Sequence, residues 1–239
     1  MRSRLGSAVA LAAAVALPLT SAAEACTPAN RAALLVMDLS DSMSAKVPSG
    51  QTRVEIARNA VEQVVAVFPP EGKLALRVYG SETPSAQMDC KDTRLLVPFA
   101  AAGENKQAIV DAIYSVRPRG MTPIGFALEQ ARQDFLVDDD DRVIVVVSDG
   151  RETCDANPCA AASKLAAEGF VIHAVGLVVD RNAALQLKCL ATVSGGTYVD
   201  VPNAIELPDK LKEIFEACKI STLMPGEIRQ RVSQTFAAG

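Results

Sequence analysis

Short, continuous apolar runs alternate along the chain with longer stretches in which apolar residues recur every three or four positions. That alternation predicts strands buried on both faces by crossover helices. The first run, Ala33 to Asp38, predicts a strand. A helix is expected from about Thr52, where Thr52-Arg53-Val54-Glu55 has the form of a capping box. Val54, Ala57, Val61, Val64, Val65 and Phe68 then keep helical spacing until Pro69-Pro70. Lys73 to Gly80 reads as the second strand. Thr93 to Phe99 reads as a third, reached by a loop too short for a helical crossover and therefore expected to run antiparallel at the sheet edge. Helices over about Asn105 to Val116 and Pro123 to Leu136 precede the most β-branched run, Arg142 to Ser148, which is expected at the centre of the sheet. A helix (Pro158 to Glu168), a strand (Phe170 to Val179), a helix (Asn182 to Ser194), a strand (Gly196 to Val201) and a last helix (Ala204 to Ala217) continue the alternation. The predicted fold class is α/β: a doubly wound, open, Rossmann-like sheet, mostly parallel with one antiparallel edge strand, and with helices on both faces. No internal repeat or second domain is evident, so residues 24–218 are expected to form one domain. The tail 219–239 lacks a regular apolar period, which predicts partial disorder.

The N-terminus adds a compartment to this picture. Two arginines, Arg2 and Arg4, precede an Ala/Leu/Val-rich run from Leu5 to Leu19, and Ser21-Ala22-Ala23 supplies the small residues a signal peptidase reads. Residues 1–23 are expected to be a cleaved secretory signal, placing the mature chain, without a membrane span, in the periplasm or outside the cell. The six cysteines, Cys26, Cys90, Cys154, Cys159, Cys189 and Cys218, all lie beyond that segment, in even number and without a C-x-x-C pair, which favours disulfides over a thiolate zinc site. Cys26 is expected to bond Cys218, tying the two ends of the domain together. Cys154 with Cys159 and Cys90 with Cys189 is the expected remainder, with Cys90 to Cys154 nearly as plausible. The formal net charge is −4 with only 4% aromatic residues, which disfavours nucleic-acid binding. A single histidine, His173, excludes a His-rich metal site; it sits in an apolar strand and is expected to be a core residue.

In a doubly wound sheet the carboxyl ends of the strands carry the chemistry. The first strand ends in Asp38-Leu39-Ser40-Asp41-Ser42 and the fourth in Ser148-Asp149-Gly150, so Asp38 and Asp149 are expected to face one crevice at a solvent-facing edge. Gly120-Met121-Thr122-Pro123 opens a helix and brings Thr122 to the same edge. Asp38, Ser40, Ser42, Thr122 and Asp149 offer only oxygens, a set suited to a hard divalent cation such as Mg²⁺, Ca²⁺ or Mn²⁺. Neutral hydroxyls leave such an ion with charge to spare for a carboxylate from outside. Thr122 before Pro123 also has the form of a helix N-cap, so cap and ligand are alternative roles for its hydroxyl.

The Asp38-x-Ser40-x-Ser42 string, Gly120-Met121-Thr122-Pro123-Ile124-Gly125 and Val147-Ser148-Asp149-Gly150, in that order and spacing, resemble the metal-ion-dependent adhesion site of von Willebrand factor type A domains. The resemblance extends over about Ala33 to Cys218, and Thr153-Cys154-Asp155-Ala156-Asn157-Pro158-Cys159 resembles the corresponding run of exported bacterial members. It implies that Ser40, Ser42 and Thr122 hold the metal directly or through water, that Asp38 and Asp149 act mostly through water, and that an acidic residue of a protein partner completes the shell. Asp41 departs from the family pattern, which usually has glycine there; a third carboxylate would draw the site toward Ca²⁺ or weaken capture of an acidic ligand.

The expected function is therefore a non-enzymatic, metal-dependent binding or adhesion module for a protein ligand with an exposed acidic residue. The alternative is a metal-assisted phosphoryl-transfer hydrolase with Asp38 as nucleophile, although such sites resemble D-x-D and Ser40 stands at the second position. No G-x-S-x-G elbow is present, and no G-x-G-x-x-G follows a strand. The run Asp138 to Asp141 precedes the fourth strand and is expected to be a solvated loop at the opposite edge.

Overall fold

The computed structural model describes residues 31–136, 139, 141–201 and 209. The expected signal, the last helix, the tail and the Cys26–Cys218 bond lie outside these residues.

Among the described residues six strands form one sheet: β1 (Arg31–Asp38), β2 (Lys73–Tyr79), β3 (Thr93–Ala101), β4 (Asp141–Ser148), β5 (Val171–Leu177) and β6 (Tyr198–Val201), in the order β3-β2-β1-β4-β5-β6. Every pairing is parallel except β2 with β3, so the antiparallel strand stands at an edge as its short loop requires. The helices are α1 (Arg53–Val67), α2 (Ala102–Ser115), α3 (Ile124–Asp134), α4 (Pro158–Ala167) and α5 (Arg181–Val193).

All eight residues of β1 are buried, because both of its faces are covered. Ala33, Leu35 and Met37 join Val143, Val145 and Val147 in a core closed by α1 and α2. Leu34 and Val36 join Ile144 and Val146 in a second core closed by α3, α4 and α5. The continuous apolar runs are thus the signature of strands that feed two cores by turns. The capping box at Thr52 forms as the sequence predicts: Glu55 N donates to Thr52 Oγ1 at 3.3 Å, and Thr52 N donates to Glu55 Oε2 at 2.7 Å. His173 is buried, and its Nδ1 accepts from Thr197 N at 3.1 Å.

Three expectations need correction. The second helix begins at Ala102 rather than Asn105, whose amide instead donates to the carbonyls of Leu74 and Pro98, both at 2.7 Å, and fastens the helix to the sheet. The acidic run before β4 is not simply a solvated loop: Asp139 is buried and bonded to Lys73 Nζ at 2.6 Å, and Asp141 pairs with Arg31 Nε at 2.9 Å. Those carboxylates neutralise cations at the amino ends of β1 and β2. The disulfides join Cys90 to Cys154 and Cys159 to Cys189, not Cys154 to Cys159 and Cys90 to Cys189. The loop between β2 and β3 meets the loop after β4, while Cys159 has already entered α4, which packs against the Cys189-bearing α5. Two disulfides suit a compartment outside the reducing cytoplasm. Among the described residues no helix is long and apolar enough to cross a membrane.

Candidate metal centre

The strand order reverses between β1 and β4: β1 leads through α1 to β2 on one side, and β4 leads through α4 to β5 on the other. Their carboxyl ends therefore open a crevice with no crossover above it. Asp38 and Asp149 stand at these two ends.

Asp38 is wholly buried, which corrects the expectation of a solvent-facing side chain. Its Oδ1 accepts from Ser40 N at 2.8 Å and its Oδ2 from Ser148 Oγ at 2.5 Å, so the turn after β1 and the last residue of β4 fold over it. Burial, and then the Asp149 carboxylate, push Asp38 up to about 6 against the lowering effect of these hydrogen bonds. Tyr79, also wholly buried, is kept in its neutral phenol form by burial and by the Asp38 charge.

From Ser40 a chain of polar contacts runs across the crevice. Ser40 Oγ lies 3.1 Å from Ser42 Oγ, which donates to Asp149 Oδ1 at 2.7 Å. The other Asp149 oxygen, Oδ2, accepts from Arg53 Nη1 at 2.6 Å. Arg53 is the first residue of α1, and sequence reasoning passed over it because its place in the capping box reads as ordinary helix initiation. Ser148 was likewise seen only as part of a strand end.

Thr122 reaches this edge through backbone. A parallel bridge joins Ser40 to Gly120, and Asp41 N donates to Gly120 O at 3.1 Å. Of the two alternative roles of Thr122, the helix cap is not made: α3 starts one residue later, with Pro123 at the cap position and no side-chain cap bond. Pro123 lacks an N–H and the cap role falls on it, so the Thr122 hydroxyl is left without that task. Thr153 instead clasps the Thr122 backbone, accepting from its N–H at 2.8 Å and donating to its carbonyl at 3.2 Å. Glu152, pushed up by burial, accepts from Gly125 N and Cys154 N, both at 2.8 Å, and so ties the start of α3 to the same loop. Asp41, the residue expected to perturb the site, is exposed, and its carboxylate accepts from Ser85 Oγ.

Gly80 is a further residue that sequence reasoning missed. Its φ is +70°, and a Cβ there would lie 2.6 Å from Met121 O and 2.8 Å from Ser40 N. The Ser40 turn and the Met121–Thr122 segment approach each other only because no side chain stands between them. Gly80→Ala is expected to destabilise the chain by at least about 2 kcal/mol, since it combines a left-handed backbone with clashes against main chain on two sides. Urea unfolding measures this; a change below about 0.5 kcal/mol, the range of a neutral surface substitution, would contradict the close approach.

The donor chemistry can be tested against an ion. Two buried carboxylates face each other across the crevice with one guanidinium between them and solvent, so one negative charge there lacks a cation. The remaining groups are hydroxyls, and among the described residues no three His, Cys, Asp or Glu side chains cluster as a metal cage would require. An all-oxygen, hydroxyl-rich set with unbalanced negative charge fits a hard divalent cation.

The sequence pattern of the von Willebrand factor type A domain matches residues 34–216. The chain is 29% identical over 181 residues to the uncharacterized protein YwmC of Bacillus subtilis strain 168, covering 73% of this chain and 78% of that protein. Among solved structures it is similar to the pilus adhesin SpaC of Lactobacillus rhamnosus GG (TM-score 0.63, 16% identity, 77% of this chain and 30% of that one). It is also similar to proximal thread matrix protein 1 of the mussel byssus, solved with zinc in its metal-ion-dependent adhesion site (TM-score 0.59, 22% identity, 79% of this chain and 46% of that one). At such identities the structural likeness concerns the fold.

Proposed function

The chain belongs to the von Willebrand factor type A domain family, and from that membership we propose that it is a non-catalytic binding module that captures an acidic side chain of a protein partner through a divalent cation. The observation that carries this proposal is the linked set Asp38, Ser40, Ser42 and Asp149 at the switch point, with Thr122 brought beside it and its hydroxyl uncommitted to a cap. In this proposal the hydroxyls of Ser40, Ser42 and Thr122 hold the ion, and Asp38 and Asp149 balance its charge from behind, mostly through water. When bound, the ion supplies a Lewis-acidic position for an incoming carboxylate. Mg²⁺, Mn²⁺ and Ca²⁺ all suit the oxygens. Because Asp41 is engaged with Ser85, it does not stand as a third carboxylate toward the ion. The module acts outside the cytoplasm, in the periplasm or beyond it, after removal of residues 1–23.

Phosphoryl transfer through Asp38 is disfavoured by the same geometry. A nucleophilic carboxylate needs an oxygen directed at substrate, whereas Asp38 is wholly buried and both of its oxygens accept hydrogen bonds.

Calorimetric titration of the full chain with Mg²⁺, Mn²⁺ and Ca²⁺ tests the proposal. One ion is expected to bind, with affinity lowered about ten-fold or more in Ser40→Ala and in Thr122→Val, the latter keeping the shape of the side chain without its hydroxyl. Because Thr122 caps nothing, Thr122→Val is expected to leave chelator-treated stability within about 1 kcal/mol of wild type. Unchanged affinity in both variants would refute the ligand set.

A further inference from the structure

Arg53 stands where the crevice opens toward a second cavity. That cavity, of about 360 Å³, is lined by Arg53, Asp149, Gly150, Val178, Val179 and Asp180, among others. The Arg53 side chain is 23% exposed, whereas the Asp149 side chain it pairs with is fully buried. One guanidinium nitrogen, Nη1, is spent on Asp149, and Nε is buried without a partner, so the hydrogen-bonding capacity of this side chain is underused. Asp180, the other carboxylate of the cavity, caps α5 by accepting from Ala183 N at 2.7 Å.

The charges are instructive. Arg53, Asp149 and Asp180 together give the cavity one net negative charge, which repels an anion. A divalent ion at the adjacent centre reverses that sign, and the guanidinium then adds to the attraction rather than merely cancelling a carboxylate. On the basis of the metal-dependent binding proposed above, we infer that Arg53 is a specificity-determining residue of this centre. It is the resident counter-cation that holds Asp149 in the metal-free protein, and in the loaded protein it is the second positive contact for the partner's carboxylate, seated in the cavity beside Val178 and Val179.

Two effects of opposite sign follow, and a merely structural arginine would not produce them together. Before loading, Arg53 opposes the ion by like charge and shares its carboxylate; after loading, it favours the anion. The test uses the full chain, Arg53→Gln and Arg53→Lys, with Mn²⁺ followed by calorimetry, and glutarate followed by its effect on the water-proton relaxation of the bound Mn²⁺. Arg53→Gln is expected to bind Mn²⁺ about ten-fold tighter than wild type, to bind glutarate at least about five-fold more weakly once loaded, and to melt lower in EDTA with recovery in Mn²⁺. Arg53→Lys, which keeps the charge, is expected to stay within about three-fold of wild type for Mn²⁺. If the Gln variant unfolds in EDTA at the titration temperature, its Mn²⁺ affinity is read from melting temperatures across a Mn²⁺ series. Mn²⁺ affinity that is unchanged or weaker in Arg53→Gln, or glutarate affinity that is unchanged, overturns this inference while leaving the metal centre standing. A wild-type chain that binds no Mn²⁺ overturns both.

Discussion

Asp38→Asn is expected to abolish divalent-ion binding and at the same time to make the metal-free protein more stable at pH 7, by about 2 to 3 kcal/mol. The sign follows from the direction in which burial and Asp149 move the carboxyl, from 3.8 to about 6. Between those two values the folded protein holds a proton that the unfolded chain has released. The stability this carboxyl confers is therefore full below about pH 4 and is lost as the pH rises through 6, a loss of about 1.4 kcal/mol per pH unit of separation. Asparagine has no such loss. Its carbonyl still accepts from Ser40 N, and its amide still meets the Ser148 hydroxyl, so the two hydrogen bonds of the aspartate have successors. Urea unfolding in EDTA across pH 4 to 7 checks the prediction: the two proteins should converge at the acid end and separate toward neutrality. Added Mg²⁺ or Mn²⁺ should raise the wild-type midpoint and leave the variant unmoved. A variant that is less stable than wild type at pH 7 in EDTA, or that still responds to metal, would show that Asp38 is not the strained carboxylate of an ion site.

The second large effect is expected from the Cys90–Cys154 bond, whose cysteines are 64 residues apart. By the chain-entropy relation, closing a loop of that size stabilises the fold by about 4 kcal/mol, so the double alanine variant should lose up to that amount. It should also bind metal more weakly. Cys154 adjoins Thr153, which clasps the backbone of Thr122, and Cys90 closes the loop that begins at Gly80, against which Ser40 packs. Removing Cys159–Cys189, only 30 residues apart, should reduce stability by a comparable or smaller amount and leave metal affinity unchanged, because it fastens α4 to α5 rather than the loops around Thr122. Paired unfolding and calorimetric measurements on the two double variants separate these effects. Equal metal affinity in both would mean that the Thr122 loop holds its position without the bond.

The parts of this protein that were legible in its sequence are those set by periodicity along a single segment. Val143 to Val147 read as a strand buried on both faces, and Thr52 with Glu55 as the start of a helix. The oxygen-bearing strings at the ends of β1 and β4 were legible for the same reason, since topology alone places strand ends in one crevice. What stayed hidden depends on which loops meet. Six cysteines allow many pairings, and nothing local distinguishes Cys154 beside Cys90 from Cys154 beside Cys159. Asp139 reads as one of four solvated carboxylates until Lys73 is found against it. Arg53 reads as a helix-initiating residue until the far end of β4 is brought to it. Gly80 reads as the last residue of a strand, when its lack of a side chain serves two other segments. For Thr122 the sequence leaves cap and ligand open as alternative roles, because the residue before a proline usually caps; here the proline occupies the cap position itself.

The placement of β4 beside β1 also governs when the centre can exist. Ser42 and Asp149, its two sides, are 107 residues apart in the chain, and the contacts of β1 with β4 are of the same span. β1 and β2 can pair over a short separation, but the ladder that makes β1 an interior strand needs β4, 110 residues further along the chain. Non-local pairing of this kind slows folding, because a long loop must close before any contact rewards it. A chain emerging from its N-terminus therefore carries Asp38, Ser40 and Ser42 for a long interval without the β4 groups that complete the proposed centre. The proposed centre is thus completed in one late event, with the docking of a strand rather than with the making of the motif.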